Sequence, residues 1–197
     1  PLQAPQHAGE GAGVQVQHLG QLARGDPRRA RDDAEDEAGA RRCLEPVRDS
    51  GRYEVVVIDC PPSLGILTLN AFAAADGLIV PLQCEYFALE GLTALLETIE
   101  GVRGKANPRL AIEGLLRTMY DPRNSLTRDV SRQLLKHFGD QVFRTVIPRN
   151  VRLAEAPSHG LPVILYDRHS RGAVAYMALA GELRRKHQAE GTPAGGA

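Results

Sequence analysis

The chain has 197 residues, 43% of them hydrophobic, with 24 Lys and Arg balancing 24 Asp and Glu to a formal net charge of zero. That length supports one α/β domain with a real core, and balanced charge excludes binding to nucleic acid or membrane by bulk electrostatics, leaving only local patches. Cys43, Cys60 and Cys84 form no CxxC pair, which excludes a zinc ribbon or a disulfide framework and points to a reducing cytosol.

Residues 1–38 are built of Gln, Gly, Ala, Arg and Asp and contain no Ile, Phe, Tyr or Met. Such a segment buries too little to offset its ordering entropy, so disorder or loose helix is expected there. From about Gly39 the texture changes to apolar β-branched runs alternating with amphipathic segments, the pattern of α/β units around a parallel sheet. The pattern predicts a helix over Arg41–Asp49, a strand over Tyr53–Asp59, a helix over Gly65–Ala75 and a strand over Gly77–Pro81. A long helix over Ala88–Lys105 precedes a strand over Leu110–Met119 and a helix over Leu126–Phe138. A short strand over Val142–Thr145, a helical turn over Val151–Ala156, a strand over Val163–Leu165 and a closing helix over Gly172–His187 complete the series. The folded domain is thus expected over residues 39–188, with 189–197 a flexible tail. No run of about 18 apolar residues and no charged-then-apolar leader is present, so neither a membrane span nor a secretory signal is expected. The first residue is Pro rather than Met.

Asp59 ends the predicted strand "VVVID", at the edge of a parallel sheet where ligands collect, and is followed by the stiff turn "CPPS". A carboxylate there either supports a magnesium ion through water or caps the turn before the next helix; periodicity alone leaves the two readings equal.

The stretches "YEVVVIDCPPSLGILTLNAFAAADGLIVPLQCEYFALEGL", "TMYDPRN" and "RTVIPRNVRLAEAPSHGLPVILYDRHSRGAVAY" resemble the ParA family of chromosome- and plasmid-partitioning ATPases, in particular its Soj branch. The resemblance runs from about Arg41 to Arg185. It implies a three-layer P-loop-NTPase-like α/β fold with a mostly parallel sheet, whose N-terminal part is here missing or replaced by a disordered segment. It places Asp59 on the family's magnesium-supporting Walker B aspartate and residues 60–63 on its switch region. It places Gln83–Leu92 near the dimer and nucleotide face. It sets Thr118, Met119, Pro148 and Arg149 beside the adenine, and Arg123 and Arg152 on basic positions used for DNA binding without sequence preference. ATP and Mg2+ are the implied cofactors. A ParB-type protein, nonspecific DNA and a second copy or a full-length relative are the implied partners, in the cytoplasm at the nucleoid.

Each assignment has a plainer competitor. Glu90 reads as a macrodipole charge at a helix start, and Glu85 is left open. Arg123 lies in the turn signal "DPRN", where an arginine is usually only solvated; the resemblance tips it toward function. Arg149 and Arg152, with Arg144, Arg168 and Arg171 nearby, form either salt-bridged surface residues or a phosphate-tracking patch, the patch being favoured. His159 lacks spaced ligand partners, Ser63 and Ser158 lack a nucleophile elbow, and Tyr86 and Phe87 read as core aromatics rather than a stacking platform.

No stretch of the 197 residues matches the family's phosphate loop, KGGxGKT. "HAGEGAGVQVQHLG", at 7–20, has glycines but no lysine, and Glu10 would repel phosphate. The family's second aspartate motif, DxDPQ, is matched only by the Asp-Pro pair of "RGDPRRA". A truncated gene, a frame-shifted upstream segment or an incorrect start would each produce this pattern. Without a phosphate cradle, one magnesium carboxylate does not replace the stabilisation that phosphoryl transfer needs, so no ATPase activity is expected of these residues alone. The competing reading is a nucleotide-independent module that binds DNA or pairs with a ParA relative. A MinD-type membrane ATPase is disfavoured because the last helix has no apolar face beyond Leu183.

Overall fold

The computed structural model describes residues 39–61 and 63–190. The expectations for residues 1–38 and for 191–197 lie outside the described residues. The chain divides into two compact units, one containing residues 39–76 and 95–110, the other 77–94 and 111–190.

In the first unit, α1 (Gly39–Asp49) and α2 (Ile66–Ala74) pack together, and α3 (Ala88–Lys105) contributes its C-terminal half. Ala40, Leu44 and Ala74 form a small buried cluster, with Val56 and Ile58 packed against it. The segment Tyr53–Asp59, expected as a strand, is irregular, with an isolated bridge at Val57. It keeps the period of two: Val56 and Ile58 turn inward, while Val55 and Val57 are 61% and 62% exposed. Alternation alone does not make a strand, because the backbone groups need a ladder, and none runs along this segment among the described residues. The end of α2 is closed by Asn107, whose Nδ2 donates to the carbonyls of Phe72 at 3.0 Å and Ala75 at 2.7 Å. Those carbonyls have no partner within the helix, so a buried Asn supplies the missing donors.

In the second unit, β1 (Gly77–Gln83), β2 (Ala111–Tyr120) and β3 (Val142–Pro148) form a parallel sheet in the order β1-β2-β3. Parallel neighbours need a crossover: α3 links β1 to β2, and α4 (Ser125–Phe138) links β2 to β3. The central strand is buried continuously over Gly114–Arg117, as expected where both faces are covered. Gly114 is required there, since a Cβ would lie 2.6 Å from the Phe143 ring. α4 buries Thr127, Val130, Ser131 and Leu134, one helical face, and its first turn is capped by Asn124, whose side chain accepts from the Leu126 N–H at 3.0 Å.

The second core consists of Leu116, Phe143, Ile147 and Leu179, the last on the closing helix α7 (Arg171–Glu190). Glu182 fixes that helix to β3 by accepting from the N–H groups of Arg144 at 2.7 Å and Thr145 at 2.9 Å. Between β3 and α7 lie α5 (Val151–Glu155), a 3-10 turn (Ala156–His159) and α6 (Val163–Tyr166). The run Val163–Leu165, expected as a strand, is helical. The N–H groups of Leu165 and Tyr166 donate to the Pro162 carbonyl, and that of Asp167 donates to the Val163 carbonyl. Three apolar residues are too few for periodicity to separate a strand from a helical turn.

Candidate functional site

The three strands are parallel, so their C-terminal ends share one edge, where loops leave the backbone free to meet a ligand. Two open clefts lie on this edge of the second unit. One, of about 520 Å³, is lined by Tyr120, Arg123, Pro148, Arg149, Asn150 and Arg171, among others. The other, of about 320 Å³, includes Gln83, Cys84, Glu85, Met119 and Thr127. Asp121, Arg123 and Arg149 line both.

Asp121 is the hub. Its Oδ1 accepts from the backbone N–H of Arg123 at 3.0 Å and from Arg123 Nε at 2.9 Å, and its Oδ2 accepts from Nη2 at 2.7 Å. The turn "DPR" thus closes as an Asx-type turn with a forked guanidinium laid over the carboxylate. The side-chain and backbone bonds from Arg123 hold the Asp121 carboxyl down at about 2, and the charge of Arg149 acts in the same direction. The Arg149 backbone N–H donates to the Tyr120 carbonyl at 3.2 Å, tying the end of β3 to the end of β2. Among the described residues, neither the Arg149 nor the Arg171 side chain has an ion-pair partner.

Met119, at the start of the turn, has φ 49°, in the left-handed region that a β2 residue with a long side chain seldom adopts. Such strain concentrates where a surrounding site determines the backbone. The Met119 side chain is 44% exposed. Thr118 lines neither cleft, and its Oγ1 donates to the Leu82 carbonyl at 3.3 Å. Arg152 also lies outside both clefts: its Nη1 is 2.8 Å from Glu155 and its Nε 3.4 Å from Asp167. The bond that Arg152 donates to the Glu155 carboxylate is the main reason its affinity for its proton is raised. Asn150 caps α5 by accepting from the Arg152 N–H at 2.9 Å.

Asp59 belongs to the first unit, exposed in the irregular segment rather than at a strand end. Burial, and then the neighbouring Asp59 charge, push the Cys60 thiol up. Among the described residues no group of three or more His, Cys, Asp or Glu is placed to hold a metal ion. With one exposed carboxylate and no lysine-bearing glycine loop in the sequence, the residues present do not fit a magnesium-nucleotide grip.

Of the residues singled out in the sequence, the second unit groups Met119, Pro148, Arg149 and Arg123 around its two clefts and leaves Thr118 and Arg152 outside their lining, while Asp59 belongs to the first unit. Of the expected arginine patch, Arg149 and Arg171 share a cleft, while Arg144 and Arg168 line neither. Asp121 was not anticipated, although an Asp two residues before an Arg in a Pro-containing turn is a readable signal. Tyr86 and Phe87, expected in the core, are 75% and 71% exposed and stack edge-on with centroids 5.0 Å apart. They lie just ahead of α3, and the helix start displays them rather than burying them.

The family described as an AAA domain matches residues 29–112. The chromosome partitioning protein ParA of Caulobacter vibrioides is 54% identical over 172 residues, which are 87% of this chain and 60% of that protein. The sporulation initiation inhibitor protein Soj of Bacillus subtilis is 53% identical over 147 residues, 75% of this chain and 57% of that one. This chain is similar to the ParA and Soj proteins over three quarters or more of its own length. It spans about three fifths of the length of these curated relatives. The crystal structure of cobyrinic acid a,c-diamide synthase from Mycobacterium smegmatis with bound ATP analog and magnesium superposes with a TM-score of 0.61 at 38% identity, covering 77% of this chain and 54% of that one. The ParA-like chain thus has the three-layer P-loop-NTPase-like α/β fold, of which the described residues supply the parallel sheet β1-β2-β3 and its helices. Among the described residues, no helix is long and apolar enough to cross a membrane.

Proposed function

We propose that this chain acts in chromosome or plasmid partitioning as a ParA-like protein that binds DNA without sequence preference. The observation that carries the proposal is the convergence of Arg123, Arg149 and Arg171 on one cleft, in a chain 54% identical to a ParA. Guanidinium groups at an open edge suit phosphate oxygens, which fix position without reading sequence. Thr118, Met119, Pro148 and Arg149 are proposed as an adenine-facing group and Asp59, in the other unit, as a magnesium support; each would serve nucleotide only where a phosphate cradle is supplied, which these residues do not provide. Arg152 is proposed as a second DNA contact, reached once Glu155 and Asp167 release it. A ParB-type protein, and a second copy or a full-length relative, are the proposed partners at the nucleoid. The proposed folded domain is 39–188.

A second reading, a nucleotide-independent module that binds DNA or pairs with a ParA, is favoured by one observation: the residues present do not fit a magnesium-nucleotide grip. Under either reading, ATP hydrolysis is not carried by these residues alone.

The test is fluorescence anisotropy of two unrelated 30-base-pair duplexes with the purified chain over a salt series. Equal affinities that fall steeply with salt, and weaken in Arg123→Ala, are the expected result. Failure to bind either duplex at low salt, by a protein shown to be folded, would sink the proposal.

A further inference from the structure

Arg123 and Arg171 line the same cleft but stand in different electrostatic states. Three hydrogen bonds commit Arg123 to Asp121, with the fork of its guanidinium already filled by a carboxylate. Arg171, the first residue of α7, has no ion-pair partner among the described residues, and Arg149 has only the more distant field of Asp121. A phosphate diester carries one negative charge on two oxygens, which is also what Asp121 presents to Arg123. The carboxylate and an incoming phosphate therefore compete for one fork, whereas Arg171 is open to a phosphate with nothing to displace.

Resting on the DNA-binding reading, we infer that Arg171 is a further phosphate contact of this cleft and that Asp121 is an internal competitor that holds Arg123 back from the phosphodiester. The ligand class is the backbone of a nucleic acid, engaged first at Arg149 and Arg171 and then at Arg123 as its bond to Asp121 exchanges. The inference makes two variants move in opposite directions. Arg171→Gln removes an open contact. Asp121→Asn removes the competing charge but keeps a side-chain oxygen to accept from the Arg123 N–H, so the turn is retained.

The experiment measures duplex binding by the full chain across a salt series, with circular dichroism confirming the fold of each variant. Arg171→Gln is expected to weaken binding about fivefold to tenfold and to lower the salt slope by about one. Asp121→Asn is expected to tighten binding about threefold or more and to steepen the slope, an effect that disappears in the Asp121→Asn/Arg123→Ala double variant. Arg132→Gln, which removes an exposed α4 charge paired with Asp129, is the control for net charge and is expected to change little. Weakening by Arg132→Gln equal to that by Arg171→Gln, or unchanged or weaker binding by a folded Asp121→Asn, overturns the inference while leaving DNA binding in place. Displacement of the duplex by ATP that is lost in Arg171→Gln would assign the cleft to nucleotide phosphates and overturn it as well. A folded wild-type chain that binds no duplex overturns both this inference and the reading beneath it.

Discussion

Arg123 folds back onto Asp121 two residues before it, with both guanidinium contacts at 2.9 Å or less and the Arg123 backbone N–H donating to the same carboxylate. One residue thus sets the local turn and the charge state of the cleft together. Because the bonds from Arg123 depress the Asp121 carboxyl to about 2, the folded state favours the ionised form. The stability this confers is fully present above the ordinary carboxylate range, near 3.9, and is lost as pH falls through about 2. A carboxyl-detected NMR titration is expected to place Asp121 well below the other aspartates and to return it toward their range in Arg123→Ala. An Asp121 midpoint near 4 in the wild-type chain would show that the pair does not persist in solution.

Arg117 tests how the sheet tolerates a buried cation. The side chain is 7% exposed and donates to Ser131 Oγ at 3.0 Å and to the carbonyls of Phe143 at 2.9 Å and Arg144 at 3.2 Å, with no carboxylate among these partners. Truncation removes both packing and three donated bonds, so Arg117→Ala is expected to cost about 2–4 kcal/mol by urea denaturation. Arg117→Met, which keeps the volume and removes the buried charge, is expected to cost distinctly less. Equal losses in the two variants would mean that the hydrogen bonds, not the volume, decide the site.

Glu182 joins α7 to β3. Burial pushes its carboxyl up, but the bonds from Thr145 and Arg144 outweigh that and leave it lowered. Its contribution is therefore present above the ordinary carboxylate range and is lost as pH falls through the lowered value. Glu182→Ala is expected to cost about 1–2 kcal/mol at pH 7, at the low end for a partly solvated acceptor, and nearly nothing once the wild-type carboxyl is protonated. A loss that stays constant down to acid pH would point to packing rather than to the two N–H acceptances.

Much of the second unit was legible in the sequence. Ala88–Lys105 and the start of β3 at Val142 fall where the pattern puts them, because long amphipathic segments and β-branched runs carry strong periodicity. The segment Tyr53–Asp59 was not, since a strand depends on a ladder partner that local pattern does not report. The clefts were half legible. Arg123 and Arg149 stood out by resemblance, whereas the pairing of Arg123 with Asp121 depends on side-chain geometry. The separation of Arg152 from the cleft depends on Asp167, distant in sequence, which no spacing rule connects to it. Tyr86 and Phe87 show the converse: their chemistry suits a core, but the start of α3 leaves them in solvent.

The most direct test of the account repeats the duplex titration with and without ATP and magnesium, while following phosphate release. Salt-sensitive binding with the same affinity in both conditions and no turnover is the expected result, because the arginine cleft is present whereas a phosphate cradle is not among these residues. Binding that appears only with ATP, or turnover abolished by Asp59→Ala, would contradict it and show that these residues build a working nucleotide site.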